Sequence, residues 1–329
     1  MTSGAVSENN STRAYSRKNN VYKFRDFLLK TYPDILQNCS DEANSKSTAK
    51  HQDNGIFLDV AGGKGSLSWL LKNCDNVNSV VADPRICKFD RLGKSVLYLK
   101  QHHDVASERT REDMPTYQPL ATLVVGGYFD DENGTGDCSM SDFKQPQNLR
   151  LLVDDQLVCA MQQQGADTNS YKSTTSWREY FDNASRRARE ATPLGYRELE
   201  QDQGDGSSKQ STTITDSDEA LRTLRSVKLV VGFHPDQATE ACIDLALCLG
   251  VPFCIVPCCV FPSEFPNRRV KSSGERVNRY RSLIQYLKEK VPWFMRAAEL
   301  DFSSDTAKNI VLYSLPEDFL CKEVIDTTS

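Results

Sequence analysis

One short stretch constrains this chain more than any other. Ile56-Phe57-Leu58-Asp59-Val60 is apolar except for its Asp, and Ala61-Gly62-Gly63-Lys64-Gly65 follows it directly. A near-continuous apolar run of this length is the pattern of a strand buried on both faces, as in a parallel sheet. Leu67, Leu70, Leu71 and Cys74 then recur at the spacing of one helical face. Strand, glycine turn and helix in this order make the first βα unit of a doubly wound sheet. The later pattern agrees. Ser79–Ala82 predicts a second strand, closed by Asp83-Pro84. Val227–Phe233 and Phe253–Val256 predict two more, with a helix between them carried by Ala238, Ala241, Cys242, Leu245, Cys248 and Leu249. Val277, Tyr280, Leu283, Ile284 and Leu287 share a face of another helix, and Asn309–Tyr313 is a last strand. The expected fold class is α/β, a mainly parallel twisted sheet with helices on both faces.

The rest of the chain is less regular. Residues 1–20 are polar and are expected to form a disordered tail. A helical segment is expected over 21–52, with Val21, Phe24, Phe27, Leu28 and Thr31 on one face. Ala121–Val125 reads as a strand, and Leu151–Ala160 as strand or helix. The polar stretch of about 130–217 reads as a partly disordered insertion in a single domain over 21–329, with a small second domain as the alternative. A chain of 329 residues, 39% of them hydrophobic, can bury a sizeable core.

No apolar run approaches the ~18 residues of a membrane span, and the first residues lack the apolar core of a secretory signal. The 11 cysteines are scattered, with no CxxC pair, and read as reduced thiols. The expected location is intracellular, cytoplasm or nucleus, with an organelle left open. A net charge of −5 does not point to nucleic acid, but two local segments depart from it. Residues 268–290 hold Arg268, Arg269, Lys271, Arg276, Arg279, Arg281, Lys288 and Lys290 against Glu275 and Glu289, a net +6. Residues 13–30 hold Arg13, Arg17, Lys18, Lys23, Arg25 and Lys30 against Asp26, a net +5, with Tyr15 and Tyr22 available to stack on bases. These segments are candidate RNA contacts; solvated helix faces are the plainer reading.

Ligands of parallel sheets sit at the carboxyl ends of the strands. Asp59 to Gly65 falls there, and so does Asp83, 20 residues after Gly63. Glycines let a backbone approach a ligand closely, and an acid at that distance can accept from two ribose hydroxyls. The dinucleotide fingerprint fails, because Ser68 stands where its third Gly or Ala belongs. Asp59-x-Ala61-x-Gly63-x-Gly65 resembles motif I of class I S-adenosylmethionine-dependent methyltransferases, with Ala61 where the commonest form has Gly. Asp83 matches their second acidic residue. The resemblance implies a Rossmann-like methyltransferase fold and S-adenosyl-L-methionine as cofactor, held by Asp59, Ala61, Gly62, Gly63, Gly65, Asp83 and Pro84.

The stretches LDVAGGKGSLSWLL, VVADPR, VGFHPDQATE and PFCIVPCCVFP resemble a eukaryotic set of methyltransferase-domain proteins, with looser kinship to a tRNA ribose methyltransferase family. The resemblance covers roughly 21–100 and 226–313. Pro235-Asp236 and Val260-Phe261-Pro262 depart from the tRNA enzymes, which carry Cys-Gly and further Cys/His at these places. It implies an RNA acceptor, tRNA in particular, and a catalytic set of His234, Asp236, Cys258 and Cys259. His234 is a candidate general base, since a free imidazole titrates at about 6.5; a structural histidine is the other reading. Asp236 orients it or touches substrate, or caps a helix starting near Gln237, with Glu240 favouring the same helix end. Cys258 and Cys259 read as small buried hydrophobes, as zinc ligands with His234 and Cys254, or as a nucleophile toward a pyrimidine carbon. No metal site is assigned. The expected function is methyl transfer; the alternatives are an inactive binding or scaffold protein on the same fold, or a methyltransferase acting on a protein or small molecule.

Overall fold

The computed structural model describes residues 9–39, 55–87, 89–112, 114, 116–130, 138–166, 171–192, 212–302 and 308–320. Its first half runs α1 (Asn9–Thr31), α2 (Pro33–Asn38), β1 (Ile56–Val60), α3 (Ser66–Cys74), β2 (Ser79–Ala82), α4 (Asp90–Gln101), α5 (His103–Glu108) and α6 (Pro119–Val125). Then come β3 (Gln147–Leu149), α7 (Asp155–Ala166), α8 (Tyr171–Ala191), β4 (Thr213–Ile214), α9 (Ser217–Arg225) and β5 (Val227–Phe233). The last part is α10 (Thr239–Leu249), β6 (Phe253–Val256), α11 (Tyr280–Lys290), β7 (Arg296–Glu299), β8 (Ile310–Tyr313) and α12 (Glu317–Leu320).

The strands form one eight-stranded sheet in the order β4-β3-β2-β1-β5-β6-β8-β7. All neighbours pair in parallel except at β8, which is antiparallel to both β6 and β7. The architecture is therefore α/β with a mostly parallel mixed sheet, as the sequence pattern leads one to expect. The chain winds outward from β1 to β4, then returns to place β5 on the other side of β1. The order reverses between β1 and β5, so a crevice opens there at the carboxyl ends of the strands.

Burial on both faces explains why the central strands are so apolar. Every residue of β1, β2 and β6 is buried. One core layer joins alternate strand residues such as Leu58, Val80 and Val230 to α7 and α10. The opposite layer joins Phe57, Leu229 and Cys254 to Phe24 and Leu28 of α1. Two polar ties fix α1 there. Arg25 donates to both oxygens of Asp75, at 2.6 and 2.5 Å. The Tyr32 hydroxyl lies 3.1 Å from the Phe253 carbonyl and 2.9 Å from that of Ser314.

Three expectations need correction. Residues 9–20, expected in a disordered tail, begin helix α1; residues 1–8 lie outside the described part. Ala121–Val125 is helical, not a strand. Pro119 opens that helix, and Leu120, Ala121 and Val124 face inward while Val125 stays exposed, a helical period that an apolar run conceals. Leu151–Ala160, read as strand or helix, is helical from Asp155, where α7 begins. The stretch 130–217, expected as an insertion, supplies two strands of the sheet, and Trp177 of α8 donates to the Ser217 carbonyl at 2.7 Å. Its polar parts 131–137, 167–170 and 193–211 lie outside the described residues, as do 40–52 of the expected helical segment 21–52. The short, charged strand β7 has no apolar run to announce it.

Candidate functional site

The loop after β1 is shaped by three left-handed residues, Ala61, Gly63 and Gly65, at φ 52°, 59° and 67°. Glycine adopts this conformation without strain; alanine does so at a cost of about 1–2 kcal/mol. Ala61 therefore sits where a glycine is the easier residue. At Gly62 the constraint is space, since a Cβ there would lie 2.6 Å from Asp59 Oδ2. A Cβ on Gly65 would run into the Phe89 ring.

Asp59 lies beneath this loop and is buried. Ser79 donates to the Ser68 hydroxyl at 2.8 Å, and Ser68 donates to Asp59 Oδ2 at 2.9 Å. The other oxygen, Oδ1, has no hydrogen-bond partner among the described residues. Burial raises the Asp59 carboxyl to about 7, against the opposing pull of Ser68.

Asp83 closes β2 and is fully buried. Its Oδ2 accepts from the Gly63 amide at 2.9 Å and from Arg85 Nη2 at 3.0 Å. Its Oδ1 accepts from the amide and Nε of Arg85, both at 2.9 Å. A carboxylate offers about four acceptor positions, so Asp83 is saturated by the protein. It clamps the glycine loop to the turn after β2, and the Arg85 side chain it holds is 40% exposed. The Pro84 carbonyl accepts from Arg150 Nε at 3.1 Å and Thr192 Oγ1 at 3.2 Å, which fixes the wall beside it.

These loops border a cleft of about 1200 Å³. Val60, Ala61, Asp83, Pro84 and Arg85 line one side, Leu151 to Asp155 a second, and Pro235 to Ala238 a third. Farther out stands a charged cluster. Glu240, in the first turn of α10, accepts from Arg268 Nε at 2.7 Å, the Tyr286 hydroxyl at 2.6 Å and Lys290 Nζ at 2.7 Å. Lys290 also reaches Asp244 at 3.0 Å. The Arg268 guanidinium lies over the Phe265 ring, 3.4 Å from its centre. A second cleft of about 810 Å³ touches Asp59, Gly62 and Ser66 and is walled by Tyr22, Arg91, Tyr98 and Arg109.

The four residues expected to act in catalysis divide. His234 is held by its amide to the Val256 carbonyl at 3.1 Å, and its Nε2 lies 3.2 Å from the Lys308 carbonyl. Its ring stacks on Phe233, and His234 is not among the residues lining either cleft. Burial lowers its basicity, so the ring is neutral at physiological pH. Asp236 is exposed and lines the larger cleft. Its side chain does not cap a helix; its carbonyl instead accepts from the Thr239 hydroxyl at 2.7 Å. Its carboxylate meets the loop after β6, where Cys258 Sγ donates to Oδ1 at 3.2 Å. Burial raises the Cys258 thiol above its ordinary range, which keeps it protonated and unsuited to nucleophilic attack. Asp236, Cys258 and Cys259 thus stand together, whereas Cys254 is buried away from them in the layer under α1.

Arg85, Asp154 and Tyr286 line the cleft without having been singled out, and Arg268 and Lys290, read as candidate RNA contacts, are there bound to Glu240. Arg85 belongs to the VVADPR stretch, two residues from Asp83, and that spacing is the signal that marks it. Comparison of the chain with protein-family models, with curated proteins and with solved structures gives no match.

Proposed function

We propose that this chain is a class I S-adenosylmethionine-dependent methyltransferase of Rossmann-like fold, with RNA as acceptor. One observation carries the reading: the loop after β1, Asp83-Pro84 after β2 and Pro235-Asp236 after β5 border one cleft at the point where strand order reverses. S-adenosyl-L-methionine, when bound, supplies an activated methyl group. The chain would hold it along the rim formed by Ala61, Asp83 and Pro84, while Gly62 and Gly65 lack the Cβ atoms that would strike Asp59 and Phe89 and so let the loop fold against them. Asp83 keeps that loop in shape through the Gly63 amide. What the protein adds to the transfer is alignment, and removal of water by the apolar floor of Val60, Ala82 and Leu151. His234 stands behind the rim and supports the loop bearing Asp236. The acceptor assignment rests on the exposed cations of 268–290 and on the sequence resemblance.

Calorimetry tests the cofactor. S-adenosylmethionine or its demethylated product is expected to bind with a Kd on the order of micromolar, and NAD not to bind. Asp83→Ala should weaken binding at least about tenfold, since it removes the bond from the Gly63 amide that shapes the loop, and a hydrogen bond to a charged group contributes about 1.5–3 kcal/mol. Unchanged affinity in the folded variant would remove Asp83 from the site. A second reading, a binding or scaffold protein that has kept the fold, is favoured by the saturation of Asp83 by Gly63 and Arg85. Arg85→Ala separates the two. Tighter cofactor binding in that variant means that Arg85 competes for a carboxylate that the ribose also uses.

A further inference from the structure

Asp236, Cys258 and Cys259 bring a carboxylate oxygen and two sulfurs within 4.8 Å of one another. They come from the loops after two adjacent parallel strands, β5 and β6. Neighbouring side chains on a strand point to opposite faces. Here β6 ends at Val256, and beyond Pro257 both sulfurs turn to the same carboxylate. Asp236 is held at φ 48°, a left-handed conformation uncommon for a residue with a side chain.

We propose that these three residues bind one zinc ion. Zinc takes sulfur at about 2.3 Å and carboxylate oxygen at about 2.0–2.2 Å in tetrahedral geometry, which sets the donors roughly 3.5–3.8 Å apart. That separation falls within the observed spread. Two thiolates also select against magnesium and calcium, which prefer all-oxygen sites. Binding releases the two thiol protons to solvent, so the Cys258 to Asp236 hydrogen bond is exchanged for bonds to metal. Two thiolates and a carboxylate leave the zinc site with a charge of −1. The Lys308 ammonium, which donates to the Cys258 carbonyl, stands close enough to offset it. His234 and Cys254 are not ligands: the first is turned to the Lys308 carbonyl and the second lies in the core under α1. Three protein ligands leave a fourth position. Because Asp236 is exposed on the larger cleft, that position faces the cleft, where a water or an acceptor group can occupy it.

The test uses the full chain, reduced, stripped with a chelator and titrated with cobalt and then zinc alone. It reads metal rather than methyl transfer, so it stands apart from the cofactor assignment. One cobalt per chain is expected, with thiolate-to-cobalt absorption in the near ultraviolet, displaced by one zinc. Cys259→Ser should weaken zinc binding on the order of a hundredfold and diminish that absorption. Cys258 is buried, so Asp236→Asn, on an exposed carboxylate, provides the variant expected to fold; a loss of about tenfold or more is expected there. Cys159→Ser, at an exposed thiol on α7, should change nothing. No stoichiometric binding to the reduced wild type at micromolar zinc overturns the proposal. So does binding that survives both Cys259→Ser and Asp236→Asn unchanged.

Discussion

Asp59 carries displaced acid–base chemistry directly beneath the glycine loop. Burial raises its carboxyl to about 7, whereas the unfolded chain titrates near 3.8. The folded state thus holds a proton that the unfolded state has lost across that interval. Stability must fall as pH rises from about 4 through 7, because above the folded value the protein has to bury a charge. Between pH 5 and pH 8 this one group removes on the order of 2–3 kcal/mol. Asp59→Asn keeps the acceptor for Ser68 and cannot ionise. Denaturant unfolding across pH 5–8 should show a slope for the wild type that the variant lacks, and parallel profiles would refute the assignment. Gly62 depends on the same side chain. A Cβ there would press on Asp59 Oδ2, so Gly62→Ala should destabilise the chain by about 1–3 kcal/mol in the same assay. At this scale the motif was legible because spacing and glycine content are written in the sequence. The partners of Asp83 were not, since saturation of a carboxylate depends on where Gly63 and Arg85 sit in space.

The elements that could be read are those buried on both sides. β1, β2, β5 and β6 fall at the expected positions because a strand enclosed by helices must be apolar throughout. β3 is hidden because its sequence is Gln147-Asn148-Leu149, with Asn148 donating to the Val81 carbonyl at 3.3 Å. β4 is two residues long, and β7 is charged at both ends. Helix α10 shows the same limit. Its apolar face was evident, but the role of Glu240 was not. Burial alone would raise that carboxyl, yet hydrogen bonds from Lys290 and Tyr286 and the charges of Lys290 and Arg268 bring it below its ordinary value. Glu240 thereby joins α10, α11 and the Arg268 loop. Glu240→Gln leaves Arg268 and Lys290 without this carboxylate, at a cost of about 2–4 kcal/mol at pH 7. Because the folded value is depressed, the wild-type advantage exists above the unfolded titration and fades as pH falls below about 4. Urea midpoints of the two proteins should converge in acid; a constant gap from pH 7 to pH 3 would show that charge is not the cause.

Across the whole molecule, the distribution of exposed cations decides whether RNA is a credible acceptor. The net charge of the two basic segments overstates it. Arg268 and Lys290 are committed to Glu240, and Arg25 to Asp75. Arg269, Lys271, Arg276, Arg279, Arg281 and Lys288 remain exposed, and Arg269 lines the larger cleft. Tyr22 is half-buried in the wall of the smaller cleft and offers no open stacking face. Trp293, three residues beyond α11, is 88% exposed and does offer one. Trp69 and Trp177 are both buried, so quenching of indole fluorescence by RNA would report on Trp293. If these cations meet phosphates, neutralising about four of them gives a slope of log K against log salt near −3 to −4 for a largely duplex RNA such as tRNA. Replacing Arg269, Lys271 and Arg276 by Glu should flatten the slope by roughly 0.9 for each phosphate no longer neutralised and leave cofactor binding intact. Trp293→Ala should weaken binding by about 1–3 kcal/mol and leave the slope unchanged, because stacking releases no counterions. Arg268→Ala should lower the unfolding midpoint instead, since its charge is spent inside the protein. An unaltered slope in the triple variant would place the acceptor among proteins or small molecules.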